Sequence, residues 1–409
     1  MSAVGIERIG VWPGTLTLRM EDLCAARGHD PANVRGQMLI DERSLNPLWE
    51  DPVTMAVNAA EGMLDDADRE AIELLIVASE SGVDQEKPLS TWVQRYLRLT
   101  PHCRNLEVKH ACYGGTAGLQ LAAHWIASGL GRGKKALVIA TDQSRMHLGQ
   151  PWEYVMGASA AAVLVSAEPR LVELEPGRSG YWTNEVSDLT RPTSRVETGN
   201  SETSLVSYLD ALENAFDHYL TRVPEAADYE AYFRRHVYHA PFGGMTFRAH
   251  KALLRRVRAA SKAEALASFE ERTLPSLCHV RRLGGTYSAS TFVGLLGLLE
   301  SGGDLRAGDR LSVFSYGSGS CAEFYGVRVA EGARETARRA GAGALLDARR
   351  PVTVAEYEDV ERRRTERVDE GDYDVPLDDP WFERAYAGRR RLVFLGMRDF
   401  YRRYGWSHD

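Results

Sequence analysis

The 409-residue chain lacks any run approaching the roughly eighteen consecutive apolar residues of a membrane-spanning helix. Its opening, MSAVGIERIG, alternates like a strand where a secretory leader would be basic and then apolar. Both features predict a soluble, cytoplasmic protein. Cysteine is scarce as well. Cys24, Cys103, Cys112, Cys278 and Cys321 are odd in number, scattered and without a C-x-x-C pair, which argues against a disulfide framework or a zinc ribbon. Positive charge is not in excess, since 50 Lys+Arg face 57 Asp+Glu for a net charge of −7, and no global field favours nucleic acid. No H-E-x-x-H motif completes the half-site His236-x-x-His239, so no metal is expected. Nucleotide fingerprints are missing too: Gly133-Lys134 lacks the upstream glycine of a phosphate loop. Gly317-Ser-Gly-Ser-Cys-Ala322 satisfies G-x-G-x-x-A, yet it runs into a strand-like EFYGVRV and reads as a tight turn beside the active site.

With 44% hydrophobic and 26% charged residues, the chain has the composition of a folded globular protein long enough for one large or two to three smaller domains. Short apolar runs at Leu74–Ala78, Ala136–Ala140, Ala161–Val165, Leu311–Ser315 and Phe324–Val329 predict buried strands. Apolar spacing predicts buried helices over Thr116–Ser128 and Thr291–Glu300. The run from Gly133 through ALVIAT to GASAAAVLV is echoed by the run from Gly308 through LSVFSY to GSGSCAEFYGVRV. This echo predicts an internally duplicated α/β fold, with halves at 1–167 and 168–409. The polar stretch 168–231, which contains the Pro- and Thr-rich Thr190–Thr203, reads as an insertion between the halves, and the basic runs beyond residue 330 read as solvated faces.

Three residues carry chemistry. Cys112, in Lys109-His-Ala-Cys-Tyr-Gly-Gly-Thr116, follows an extended run and precedes the long apolar helix. The helix dipole there favours a thiolate and a pKa below the free value of about 8.5, and the paired glycines suit a sharp elbow. A buried structural cysteine is the competing reading. Glu80 closes the strand LLIVAS, where ligand sites of open α/β sheets gather, and a desolvated carboxyl can serve as general base; a helix cap or solvated loop group is the alternative. His239, in YHAPFGGM, offers a proton or a neutral hydrogen bond near neutral pH, whereas His236 reads as structural.

Taken in order, ESGVD at 80–84, ACYGGT at 111–116, YHAPFGGM at 238–245 and SYGSG at 315–319 resemble the motifs of 3-hydroxy-3-methylglutaryl-CoA synthases, over roughly residues 4–330. The resemblance implies a thiolase-like, duplicated, five-layered αβαβα fold, usually homodimeric. It implies Cys112 as acyl-carrying nucleophile, Glu80 as general acid/base and His239 as the residue orienting or polarising the second substrate. Tyr113, Gly285, Tyr287 and Ser318 are expected along the substrate path. No cofactor is implied beyond the phosphopantetheine or CoA that carries the substrates. Val196-Glu-Thr-Gly-Asn, SLVSYLDALE and GSGSCAEF resemble the synthases of polyketide β-branching, which act on chains held by acyl carrier proteins. For such acidic partners, Arg234, Arg235, Arg248, Lys251, Arg255 and Arg256 form a candidate basic entrance, or an ordinary solvated helix face.

Three positions depart from the family pattern. Gly285 stands where relatives carry Asn, Glu153-Tyr-Val-Met156 replaces a Glu-Pro-Ser/Thr element, and Gly243-Gly244 stands where CoA-using relatives tend to have Lys. The expected activity is therefore acetyl transfer to Cys112, enolisation, addition to a β-ketoacyl-carrier protein and hydrolysis. A CoA-dependent synthase of isoprenoid metabolism and a carrier-binding protein that condenses nothing are the alternatives.

Overall fold

The computed structural model describes residues 3–143, 148–386 and 388–408. Nine strands form the main sheet, numbered here in chain order: β1 (Gly5–Trp12), β2 (Ile72–Ala78), β3 (Arg104–Val108), β4 (Lys135–Gln143), β5 (Ala158–Ser166), β6 (Val172–Thr183), β7 (Arg235–Tyr238), β8 (Arg310–Gly317) and β9 (Cys321–Val329). Their spatial order is β7-β8-β9-β6-β1-β5-β4-β2-β3. The two halves meet at a narrow seam, where β1 pairs with β6 only at Gly5↔Glu173 and Ile6↔Val172.

The halves repeat one plan. In the first, β2 lies parallel to β4, which is antiparallel to β5, which is antiparallel to β1. In the second, β7 lies parallel to β8, which is antiparallel to β9, which is antiparallel to β6. Glu80 after β2 and His239 after β7 thus occupy corresponding places, both at the C-terminal ends of parallel strands, where such sheets build ligand sites.

Strand alternation sets the layers, because neighbouring side chains face opposite ways. Ile76, Val138, Ala140, Val163 and Val165 turn to a middle core with helices α2 (Gly114–Ala127) and α5 (Ala289–Ser301). Leu75, Val77, Leu137, Ile139 and Leu164 turn outward to α1 (Pro52–Glu61) and part of the C-terminal segment. On the other half, Phe314, Tyr316, Ala322 and Phe324 turn outward to α3 (Ser201–Arg222) and α4 (Gly243–Arg258). Helix, sheet, helix pair, sheet and helix make the five layers. The two middle helices approach closely: a Cβ added at Gly115 would lie 2.8 Å from the Phe292 ring.

The stretch 168–231 is more than an insertion. It supplies β6, which joins the halves, and α3, whose Tyr208, Leu212, Phe216 and Tyr219 are buried. Pro176, Gly177 and alternating charge in VELEPGRSGYWT hid a strand that is buried along one end and exposed along the other.

Candidate active site

Cys112 sits in the short turn Ala111–Tyr113 between β3 and α2, half-buried. The sharp bend falls on Ala111, at φ 41°, rather than on the glycines. Gly114 is helical, at φ −51°, and the pair serves close packing. The surroundings of Cys112 oppose the thiolate that the helix end favours. Burial first, then the Glu80 carboxyl and Asp142, push the Cys112 thiol well above its ordinary range. Desolvation and like charge outweigh the helix end, so acylation needs a partner that takes the thiol proton.

Glu80 is held by its backbone. Its N–H donates to Asp142 Oδ1 at 2.9 Å, and its carbonyl accepts from Arg191 Nη1 at 2.7 Å. Its Oε1 is buried and accepts no bond among the described residues. Burial, followed by repulsion from Asp142, lifts its pKa well above the usual carboxyl range. Asp142, buried at the end of β4, accepts on Oδ1 from Ser79 Oγ (3.1 Å), Ser81 N (3.1 Å) and Ser81 Oγ (2.8 Å) as well as from Glu80 N. Burial pushes its pKa up to about 7.

His239 is fully buried, and its backbone is clamped: its N–H donates to Phe314 O at 2.7 Å and its carbonyl accepts from Tyr208 OH at 2.7 Å. Ser290 Oγ donates to Tyr287 O at 2.9 Å and lies 3.1 Å from His239 Nδ1. With its proton so engaged, the Ser290 oxygen accepts from Nδ1–H, which assigns the lone pair of the neutral ring to Nε2. Nε2 is buried with no partner among the described residues, and burial lowers the ring's pKa to about 3.

The segment 285–290 touches the surroundings of all three residues. Ser288 Oγ donates to Ala111 O (3.2 Å) and accepts from Gly115 N (3.0 Å), bracing the Cys112 turn. Ser290 meets His239. Tyr287 OH accepts from Arg191 Nη2 at 3.3 Å, and the same guanidinium reaches Glu80 and pairs with Glu197 at 2.5 Å. Tyr287 holds φ 49°, a left-handed conformation that costs a non-glycine residue about 1–3 kcal/mol and gathers at functional sites.

The other sequence-derived residues are placed as follows. Tyr113 is turned to β9, where its hydroxyl donates to Glu323 at 2.8 Å. Ser318 is half-buried in the turn between β8 and β9, and that turn lies against the Cys112 bend, since a Cβ on Gly317 would sit 2.7 Å from Tyr113 Cβ. Gly285 donates to Val155 O at 2.5 Å, and a Cβ there would lie 2.3 Å from Pro241 O, so this backbone has no room for an Asn. Gly244 is tighter still, at 1.8 Å from Gln37 O. Glu153 is buried, with its carboxylate paired to Arg27 at 2.8 Å. Of the basic cluster, Arg234 and Arg235 pair with Asp304 and Arg256 with Asp217, while Arg248, Lys251 and Arg255 make no ion pair among the described residues.

A cavity of about 560 Å³ opens beside Glu80, lined among others by Lys109, Gln143, Arg191 and Glu50. Cys112 and His239 do not line it. No cluster of three or more potential metal ligands occurs among the described residues.

Two family models match: hydroxymethylglutaryl-coenzyme A synthase N terminal over residues 49–169 and C terminal over 246–379. The chain belongs to the hydroxymethylglutaryl-CoA synthase family. It is 38% identical to the polyketide biosynthesis 3-hydroxy-3-methylglutaryl-ACP synthase PksG of Bacillus subtilis (strain 168), over 99% of this chain and 100% of PksG. It is 35% identical to the hydroxymethylglutaryl-CoA synthase of Enterococcus faecalis, over 87% of this chain and 90% of that one. The fold matches the HMG synthase of the curacin biosynthetic pathway with a TM-score of 0.92 at 39% identity, covering 99% and 100% of the two chains. A further match, at TM-score 0.92 and 38% identity over 99% and 100% of the chains, is that synthase in complex with acetyl donor-ACP. This family member therefore has the thiolase-like five-layered fold its motifs implied.

Proposed function

We propose that this family member condenses an acetyl group with a β-ketoacyl chain held on an acyl carrier protein, adding an acetyl-derived branch in polyketide biosynthesis. The observation that carries this reading is that segment 285–290 contacts the turn holding Cys112, the His239 ring and the Arg191 that binds the Glu80 carbonyl, while the Glu80 carboxyl acts electrostatically on the Cys112 thiol, within a family of condensing synthases.

In the first step Cys112 Sγ attacks the donor's thioester carbonyl. The Sγ–C bond forms, the carbonyl carbon's bond to the donor's phosphopantetheine sulfur breaks, and the thiol proton passes by way of His239 Nε2 to that departing sulfur. In the second, ionised Glu80 takes a proton from the acetyl methyl; its lifted pKa makes it a stronger base than an ordinary carboxylate. The enolate carbon bonds to the acceptor's β-carbonyl carbon as its C–O π bond opens, and the alkoxide takes the proton that Glu80 removed, returning Glu80 to its ionised form. Water then cleaves the enzyme thioester, leaving a free carboxylate on the product and restoring the thiol. Arg191 holds the Glu80 backbone and, as a fixed cation, favours ionisation of the paired carboxyls.

Partner and assembly belong to the same proposal. Donor and acceptor carrier proteins are the partners, with unpaired Arg248, Lys251 and Arg255 as their acidic helices' contacts. A homodimer is supported by β3, the edge strand of the sheet, whose outer side has no strand partner among the described residues and whose Leu106 is exposed. The five cysteines are all unpaired, which supports a reducing, cytoplasmic setting, and no described helix is long and apolar enough to cross a membrane. No cofactor is called for beyond the carriers' own phosphopantetheine.

A CoA-dependent reading is kept by the similarity to the Enterococcus faecalis enzyme; the crowding at Gly244 weighs against it, because no long side chain fits there. Acetyl-carrier protein and acetyl-CoA, offered separately, decide between them. Intact mass should reveal an acetyl adduct that forms rapidly from the carrier and is lost in Cys112→Ser. Faster labelling from CoA would favour the second reading, and no adduct from either would refute both.

A further inference from the structure

A second cavity, about 490 Å³, lies between β1, α1, residues 336–345 and residues 389–391, and shares no lining residue with the cavity beside Glu80. Its charge is one-sided. Arg8, Arg170, Arg339, Arg389 and Arg391 line it, and no Asp or Glu does, in a chain where acidic residues outnumber basic ones. Two of these cations are neutralised nearby: Arg8 by Glu7 and Asp68, and Arg339 by Glu335. The guanidinium groups of Arg170, Arg389 and Arg391 make no ion pair or hydrogen bond among the described residues.

Arg391 is the informative one. It is half-buried, its Nε is buried without a partner, and its guanidinium lies 5.0 Å from the centre of the Trp12 ring. Burial first and then the neighbouring Arg389 act against its charge, and the Glu61 carboxylate and Tyr386 offset them only in part. A partly desolvated guanidinium with a like-charged neighbour and no carboxylate in contact among the described residues is costly, and a bound anion is the arrangement that would satisfy both groups. The remaining wall, including Ile9, Val11, Met63 and Leu345, is apolar.

We infer that this cavity is a binding site for a small molecule bearing a diphosphate group, held by Arg170, Arg389 and Arg391. Planar guanidinium forks match phosphate oxygens in bidentate fashion, and three cations without a carboxylate in contact suit a diphosphate better than a single carboxylate. The volume lies within the range of small-molecule sites, about 300–1,000 Å³, and exceeds what a diphosphate alone fills, so the apolar wall has room for an attached organic part. The site is also wired to the catalytic side of the molecule. Trp12 lines it and donates through Nε1 to Glu50 Oε1 at 3.1 Å, and Glu50 lines the cavity beside Glu80.

The inference stands apart from the proposed condensation, and its test does not use that activity as its readout. Isothermal titration of the full chain at low ionic strength, with pyrophosphate and with ADP separately, should show saturable one-to-one binding that weakens as sodium chloride is raised. Tighter binding of ADP identifies a diphosphate with an organic part, and equal binding identifies the bare diphosphate. The double variant Arg389→Ala/Arg391→Ala should lose about tenfold or more in affinity, the scale of one or two charged hydrogen bonds. Arg170 is exposed, so Arg170→Glu keeps the fold should the double variant lose it, and it too should weaken binding. No saturable heat from either probe at millimolar concentration, or affinity unchanged in Arg170→Glu, overturns the inference.

Discussion

Replacing Asp142 by Asn isolates the interaction that sets the acid–base character of Glu80. The amide oxygen can keep the bonds that Oδ1 accepts from Ser79, Glu80 and Ser81, while the negative charge is removed. The amide nitrogen takes the place of Oδ2, which is buried and without a partner among the described residues, so a cost of roughly 1–3 kcal/mol in stability is expected for an unsatisfied donor. The effect on Glu80 is larger in consequence. Two carboxyl charges a few ångströms apart interact by about 2–4 kcal/mol at an effective dielectric of about 20. Burial still holds the Glu80 pKa up, and loss of this repulsion, its second cause, lowers it. The sign follows from the charge: without Asp142's negative charge, Glu80 ionises more readily. In a pH profile of acetyl-methyl proton exchange by the acetylated enzyme, the rise from inactive to active enzyme should move to lower pH in Asp142→Asn. A rise that stays in place or moves upward would refute the coupling.

Three further outcomes follow from the same geometry. Ser290→Ala frees His239 Nδ1 and should lower the turnover number about threefold to tenfold with little change in KM, while Ser290→Thr restores the rate; equal losses in both would make Ser290 a packing residue only. Gly244→Ala places a Cβ against Gln37 O and should cost about 1–3 kcal/mol by denaturant unfolding, and unchanged stability would contradict the close approach. Glu50 and Asp142 both have pKa values raised to about 7 by burial, above their unfolded values near 4. The stability this contributes is fully present below about pH 4 and lost as pH rises to about 7, so Glu50→Gln should flatten the decline in melting temperature over that interval. A decline between about pH 4 and pH 7 that is as steep in Glu50→Gln as in the wild type would contradict it.

Legibility in the sequence followed the range of the interactions involved. Strands β2, β4, β5, β8 and β9 and helix α5 bury nearly every side chain and α2 buries one apolar face, so their apolar runs announced them. Cys112, Glu80 and His239 lay in motifs with punctuation of their own. Asp142 and Arg191 did not: one ends an apolar strand and the other sits in a polar loop, and they meet Glu80 across 62 and 111 residues of sequence. A charged residue closing a fully buried strand, as in ALVIATDQ, was the available signal for Asp142. Ser290 carried none, because its meaning comes from the ring it faces 51 residues away. The protonation state of Cys112 was also out of reach, since a helix end is visible in sequence whereas the burial and carboxyl charges that oppose it are assembled only by the fold.

The most direct test of the central claim follows the acetyl group itself. Carbon-labelled acetyl-carrier protein and a β-ketoacyl-carrier protein are mixed with wild type, Cys112→Ser and Glu80→Gln, and both the enzyme and the acceptor are weighed intact. The account predicts label on the wild-type acceptor, label on neither protein with Cys112→Ser, and label trapped on the enzyme with Glu80→Gln. Label reaching the acceptor in the Cys112→Ser reaction, or passing through Glu80→Gln at the wild-type rate, would contradict it.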